Sequence, residues 1–469
     1  VLSWDEQEQA QMKAMKIARA RHRILSVRWG YIWAFWCAVF WGAWYLPGTA
    51  VWHTPPYSLM SFESTDEFML AAAVITAFNG IGALIFLFLW LAFLEKLGEL
   101  WRTLSRFRTI SKWYFLAAIF GGPCALFGSY LAIGFVGPIF AAVAALLYPI
   151  IGASLARLWY NEKITLRAAI GILVIVIGGV SIFAPGIMSE SAAARELLWI
   201  GFVGGAMAAF GWGVEGAIAG RALDVTDPDV GITIRFVAEV IIWLFLILPG
   251  VALFFDAPVI AMVSATLNFW AILWLLLAGL SFGFCYVAWY KSFPLIGVGR
   301  GQAIGALYGV FAVIFLAIFA FQFPDWNFLL GLSLTVSGSF LMISESSDVV
   351  EVVRAPSAGM KSALTIVQAE KRGSRLHMKG YILRELAEAA DNGLWDYEIM
   401  RAVFHEYGRK GDYWKGEIRV TLTDLFSGAL IEEIEDALDD GRYFGENKIL
   451  MKFKISPFGM KRMSETGLI

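Results

Sequence analysis

The chain has 469 residues and a formal net charge of -2, with 59% hydrophobic and only 16% charged residues. Soluble globules are roughly half apolar and about a quarter charged. That composition excludes a conventional soluble enzyme and a disordered chain. The 20 Trp and 37 Phe suit lipid-facing helices and membrane interfaces. A polytopic membrane protein is therefore expected.

In chain order, residues 1–27 read as a cytoplasmic tail. Trp4 to Arg23 is polar and charged, so no secretory signal is expected there. The tail is either an interfacial amphipathic helix on anionic lipid or a solvated positive-inside segment. Ten apolar runs of membrane-spanning type follow. The first five are Gly30–Val51, Phe68–Leu94, Trp113–Ile133, Pro138–Trp159 and Arg167–Phe183. The second five are Leu197–Leu223, Val230–Phe254, Phe269–Tyr290, Val298–Ala320 and Asn327–Ile343. The expected architecture is all-α and polytopic: ten transmembrane helices as two five-helix repeats, 28–183 and 184–343, then a linker at 344–375 and a small α+β domain at 376–469.

Lys and Arg set the orientation. Lys13, Lys16, Arg19, Arg21, Arg23 and Arg28 precede the first span. Lys96, Arg102, Arg106, Arg108 and Lys112 follow the second, and Arg157, Lys163 and Arg167 follow the fourth. Arg221, Lys291 and Arg300 fall on the same side, whereas the opposite side offers Arg195. Both termini are expected in the cytoplasm, in an inner or plasma membrane. Trp29, Trp33, Trp101 and Trp113 read as interfacial anchors.

An internal repeat is visible. Trp41-Gly42-Ala43-Trp44 of span one matches Trp212-Gly213-Val214-Glu215 of span six, and Leu147-Tyr148 of span four matches Leu307-Tyr308 of span nine. Gly178-Gly179 and Gly338-Ser339 lie equally far beyond the two tyrosines. An odd number of spans per half requires the halves to insert with opposite orientation, a transporter architecture with its site between them. These motifs, with the turn Asn161-Glu162-Lys163-Ile164-Thr165, resemble the ten-helix EamA-type members of the drug/metabolite transporter superfamily, over roughly Arg28 to Ile343. The resemblance implies a secondary carrier that moves a small metabolite by alternating access. The second half departs from the first in reading Gln322-Phe323-Pro324-Asp325 for the Glu-containing turn and Gly309 for Pro149.

Ionisable residues inside apolar spans are functional candidates because a charge there costs at least about 2.5–3.5 kcal/mol. Glu215, Arg235 and Glu239 are such residues, and Arg235 and Glu239 are spaced to share a helix face. One reading makes Glu215 the acid that binds a cation or proton in exchange for substrate. In the other, Arg235 neutralises a carboxylate and ties spans six and seven together, or extends to the interface. Trp41, Trp44, Tyr45, Tyr148, Trp212, Tyr286, Trp289 and Tyr308 lie on spans that face the cavity in proteins of similar architecture. With Glu215 they form the expected substrate site, for an organic cation held by aromatic faces; plain packing is the alternative. Gly204-Gly205 and Gly297-Val298-Gly299-Arg300-Gly301 follow no predicted strand. They are expected to serve close helix packing rather than nucleotide binding, and Gly299-Arg300-Gly301-Gln302 could also permit gating.

Cys37, Cys124 and Cys285 are read as buried hydrophobes, and no metal, cofactor or catalytic constellation is expected. In the last domain, Lys379–Ala390, Asp396–Tyr407 and Leu430–Asp440 are predicted helices. Asp396 is the expected N-cap, Lys448–Ile455 a strand, Gly445-Glu446-Asn447 its turn, and Ser456-Pro457 the start of a final helix. The order resembles a winged-helix domain. The third predicted helix carries Glu432, Glu433, Glu435, Asp436, Asp439 and Asp440, which phosphate would repel, so a protein partner rather than nucleic acid is expected. The leading function is a secondary transporter embedded in the bilayer. The alternative is a structural or accessory subunit of a larger membrane assembly.

Overall fold

The computed structural model describes residues 4–60, 65–192, 198–254, 256–320, 326–345, 350, 354 and 376–469. The chain is a predominantly helical polytopic membrane protein with a small α+β domain at its C-terminal end. Eight stretches among the described residues are long and apolar enough to cross a membrane. The expected fifth and tenth spans are also helical, but their apolar stretches, Leu166–Ser181 and Leu329–Ile343, are shorter.

Helix α1 covers Trp4–Ala50, so the expected tail is no separate element but the first turns of the first long helix. Its polar portion packs on the C-terminal domain: Arg19 pairs with Glu433 at 2.7 Å and Asp436 at 3.1 Å. Helix α2 is Thr65–Phe93 and α3 is Phe107–Phe135. Within α3, Pro123 lies in a π-helical stretch, Phe120–Leu126, as expected where a proline interrupts the backbone ladder.

The expected fourth span is two helices, α4 (Pro138–Ala145) and α5 (Tyr148–Tyr160), separated at Leu146-Leu147. Pro149 sits in the first turn of α5, where its missing N–H costs nothing. Helix α6 is Leu166–Ala192, α7 is Leu198–Ala222, α8 is Pro228–Phe254 and α9 is Phe269–Ile296. The expected ninth span is broken like the fourth, into α10 (Val298–Gly305) and α11 (Tyr308–Ala320). The two broken spans have the same segment lengths, 8 then 13 residues, at one constant offset in sequence. Each follows a glycine of positive φ, Gly137 at 140° and Gly297 at 88°, a conformation a side chain would strain. Helix α12 is Trp326–Ile343 and packs along α6, with the helices meeting at Gly171, Gly178 and Gly338. The segment Gln322–Asp325 and most of the expected linker lie outside the described residues.

The domain at 376–469 runs α13 (Met378–Ala389), β1 (Leu394–Trp395), α14 (Asp396–Tyr407), α15 (Asp412–Ser427), β2 (Ile431–Leu438), β3 (Ile449–Ile455) and α16 (Pro457–Glu465). The antiparallel sheet has the order β1-β3-β2. Two expectations are corrected. Within the predicted helix Leu430–Asp440, residues Ile431–Leu438 form strand β2 and no helix. Ile431, Ile434 and Leu438 recur with helical spacing, but pairing with β3 prevails, and a bulge between Glu433 and Glu435 absorbs the mismatch. The third helix is α15, whose buried face is Trp414, Ile418, Thr421, Leu422 and Leu425; its β-branched residues and Gly416 disguised it. The N-cap of α14 is Trp395, and Asp396 is the first helical residue. The final helix begins as expected, with Ser456 Oγ accepting from the Gly459 amide at 2.9 Å.

Candidate functional site

The three ionisable residues of spans six and seven meet. Glu215 on α7, and Arg235 and Glu239 on α8, are all fully buried. Arg235 Nε donates to Glu215 Oε1 at 2.6 Å, and its Nη1 donates to Glu239 one helical turn away. Arg235 therefore bridges both acids and does not extend to the interface. Helix α9 completes the cluster. The Tyr286 hydroxyl donates to Glu215 Oε2 at 2.8 Å, the Tyr290 hydroxyl to Oε1 at 3.3 Å, and the Trp212 indole to the Tyr286 oxygen at 2.8 Å. Gly121 and Gly122 of α3 make room for the charges; a β-carbon at Gly122 would lie 2.7 Å from the Glu239 carboxyl carbon. Two carboxylates face one guanidinium, and Glu239 Oε1 has no hydrogen-bond partner among the described residues. Such a group at full burial is costly unless a proton, water or ligand reaches it.

The expected aromatic residues also converge, and they fill the space between them. Trp41 stacks on Tyr308 at 4.6 Å and meets Trp212 at 4.7 Å, Tyr148 at 5.2 Å and Trp289 at 6.3 Å. Tyr45 also stacks on Tyr308, at 5.7 Å. Trp44 meets Tyr45 edge-on at 5.0 Å and also packs against Tyr130 and Phe282, with its indole donating to Asn79 Oδ1 at 3.1 Å. Indole nitrogens of Trp41 and Trp289 and Oε1 of Gln302 have no partner among the described residues. Tyr290 and Asn79 were missed by sequence reading, and Gln302 was singled out there only as part of a stretch that could permit gating. Tyr290 carried a signal, one turn beyond Tyr286; Asn79 is a polar residue among apolar neighbours in α2.

The two broken spans exchange hydrogen bonds reciprocally. The Tyr148 hydroxyl donates to the Gln302 carbonyl at 2.6 Å, and the Tyr308 hydroxyl donates to the Ala142 carbonyl. Ala142 and Gln302 are equivalent positions at the same offset as the two tyrosines. The two Trp-Gly pairs behave alike: a β-carbon at Gly42 would lie 2.8 Å from the Tyr308 carbonyl oxygen, and one at Gly213 would lie 3.0 Å from that of Tyr148. The Asn161–Thr165 turn has a structural task as well. Glu162 accepts from the amides of Val298 and Gly299, both at 2.9 Å, and so caps α10. Gly299 and Gly301 allow close approach to Glu162 and to Ser292, and Gly204 packs against the Gly128 carbonyl. Cys37 and Cys285, distant in sequence, lie with sulfurs 3.6 Å apart as free thiols.

A second charged cluster clamps the C-terminal domain to the helices. Lys96 pairs with Asp227 and Asp229, both at 2.8 Å, and with Glu417 of α15; Lys291 pairs with Asp229 at 2.9 Å. Burial acts to lower the Lys96 ammonium, but the three carboxylates hold it well above the usual lysine range. Burial raises Asp227, against the pull of Lys96. These three carboxylates lie within 4.8 Å of one another, and the Lys96 ammonium pairs with each of them. Nearby, Lys379 pairs with Asp424 at 2.5 Å and Arg462 with Asp224 at 3.1 Å, and the Met378 amide donates to Glu99 at 2.8 Å. The face of α15 that carries Glu417, Thr423 and Asp424 is thus turned onto the membrane helices.

No family model matches the chain, and no curated protein matches it. Among solved structures, one described as "Crystal structure of protein" aligns with a TM-score of 0.48 at 16% identity, over 66% of this chain and 95% of its own.

Proposed function

We propose that the chain is a secondary transporter of a small metabolite, with an organic cation as the leading substrate class, working by alternating access between two five-helix halves of opposite orientation. The observation that carries this reading is the reciprocal pair of hydrogen bonds between the broken spans, Tyr148 to Gln302 and Tyr308 to Ala142. Two like segments exchanging like contacts is the signature of a self-complementary interface. Two inserted halves related in this way carry a site at their junction. The EamA-type resemblance of the Trp-Gly and Leu-Tyr motifs supports the same reading. The positive-inside pattern supports cytoplasmic termini and an inner or plasma membrane. Lys and Arg cluster on the side where α1 begins and the C-terminal domain docks.

In this mechanism the aromatic cluster is the closed form of the substrate site. Trp41, Trp212, Trp289 and Tyr308 separate to admit a cation between their faces, and the unpaired indole and amide groups meet its polar atoms. The surplus carboxylate of the Glu215–Arg235–Glu239 cluster supplies the negative charge, and a proton exchanged there couples transport. The C-terminal domain is a winged-helix-like regulatory module. The contact of its third helix with the transporter through Glu417 and Lys96 supports a protein-facing role for this domain rather than nucleic-acid binding. The test is substrate-dependent uptake in proteoliposomes, screened with choline and other quaternary ammonium compounds. Glu215→Gln should abolish uptake while the protein stays folded; unchanged uptake removes Glu215 from the mechanism.

One observation favours a second reading, an accessory subunit with a transporter-like fold: the aromatic rings fill the junction between the spans. Native mass in mild detergent separates the two. One or two chains per particle supports the carrier, and a stable set of other subunits supports the accessory role.

A further inference from the structure

Where the C-terminal domain meets the helices there is a chamber of about 630 Å³, walled by α1, the start of α8, the end of α9 and α15. Its floor is the Asp227, Asp229 and Glu417 cluster, in which three carboxylates face the two ammonium groups of Lys96 and Lys291. His377 lines it too and is 2% exposed. Its Nε2 lies 2.5 Å from the Val225 carbonyl, which only accepts, so Nε2 carries the proton and Nδ1 is an acceptor. That Nδ1 has no partner among the described residues. The floor cluster therefore counts three carboxylates against two ammonium groups and adds the His377 Nδ1 acceptor, while Lys379, paired with Asp424, and Arg419 also line the chamber. The rim carries the exposed cations Arg21 and Lys448, with Glu446 beside them.

A second cavity, of about 250 Å³, adjoins the first through Trp29 and Trp33. It is a wholly apolar groove between α1 and α9, continued by Ile32, Trp36, Phe40 and Phe284. Trp29 is 53% and Trp36 43% exposed, so protein leaves these rings uncovered. At 1.5 Å per residue, Trp29 to Phe40 extends about 16 Å. That is half of a hydrocarbon core roughly 30 Å thick, the depth of one leaflet. The Lys291 ammonium sits 5.1 Å from the Trp33 ring, where polar chamber and apolar groove join.

We propose that chamber and groove together bind one phospholipid with a primary-amine headgroup. Its ammonium points to the carboxylates and His377, its phosphate lies between Arg21 and Lys448, and an acyl chain runs down the Trp29–Phe40 groove. A soluble metabolite would leave the groove empty, and an annular lipid would leave the chamber empty. The lipid bridges α1, α9 and α15, and so joins the C-terminal domain to the bilayer. This site is independent of transport.

The experiment is native mass spectrometry of the delipidated full chain titrated with phosphatidylethanolamine, phosphatidylcholine, phosphatidic acid or soluble phosphoethanolamine. Phosphatidylethanolamine should bind about tenfold or more tightly than the other two lipids, a difference of about 1.4 kcal/mol. Phosphoethanolamine alone should bind far more weakly. The exposed double variant Arg21→Glu, Lys448→Glu should lose about tenfold in phosphatidylethanolamine affinity, and Ile32→Trp, which fills the groove, should weaken all three lipids. Equal binding of the three lipids would overturn the proposal in favour of annular contact. Phosphoethanolamine binding as tightly as the whole lipid would overturn it in favour of a soluble ligand.

Discussion

Replacing Arg235 by Met removes the one base that bridges two fully buried acids. In the native chain Glu215 keeps Tyr286 and Tyr290 as donors, but among the described residues Glu239 has Arg235 alone, with its Oε1 unpaired. Removing one partner of a buried ion pair costs about 3–5 kcal/mol, because the remaining charge is left uncompensated. That corresponds to roughly two to four orders of magnitude in the unfolding equilibrium. The triple variant Glu215→Gln, Arg235→Met, Glu239→Gln removes all three charges, and neutral replacement of a buried ion cluster costs little. It should unfold within about 1 kcal/mol of the native protein. Glu239→Gln alone removes the surplus acid and should raise stability slightly. The assay is equilibrium unfolding in mixed detergent and SDS micelles, followed by tryptophan fluorescence. If Arg235→Met unfolds at the native SDS fraction, or if the triple variant is as damaged as the single one, the electrostatic account of this cluster is wrong.

Three further outcomes are expected. Gly42→Ala places a β-carbon 2.7 Å from the Ala312 amide nitrogen and 2.8 Å from the Tyr308 carbonyl; backbone cannot yield, so about 1–3 kcal/mol should be lost in the same unfolding assay. Gly213→Ala, at the equivalent position, should behave likewise, whereas Gly250→Ala, with nothing within 4 Å, should be neutral or mildly stabilising. Burial raises Asp396 from 3.8 to about 7, against the pull of Arg419. The folded domain therefore holds a proton that the unfolded chain releases, and this contribution is complete below about pH 4 and lost as pH rises through about 7. Asp396→Asn should raise the melting temperature near about pH 8 and leave it unchanged near about pH 4; an equal effect at both would refute the assignment. Lys96→Met should release the C-terminal domain from the helices, seen as faster amide exchange in α15 at unchanged exchange in α7; protection retained in α15 would show that the clamp resides elsewhere.

The membrane class and the helical segments were legible in the sequence, because each rests on local pattern. Apolar runs of sufficient length become helices in a medium that cannot satisfy free backbone groups, and Trp41-Gly42 and Trp212-Gly213 mark equivalent positions without knowledge of any contact. The spacing of Arg235 and Glu239 likewise announced a shared helix face. Other features depended on residues far apart in sequence. The break in α10–α11 has no proline to cause it, and Tyr308 reaches Ala142 from the other half. Residues Leu430–Asp440 have a helix-like rhythm, yet strand pairing with β3 decides their conformation. The acid cluster of the chamber joins Lys96 to Glu417 across most of the chain. Local chemistry determined which segments become helices and which charges are costly. Which charge answers which, and whether aromatic rings enclose a space or fill it, is decided only where the helices pack.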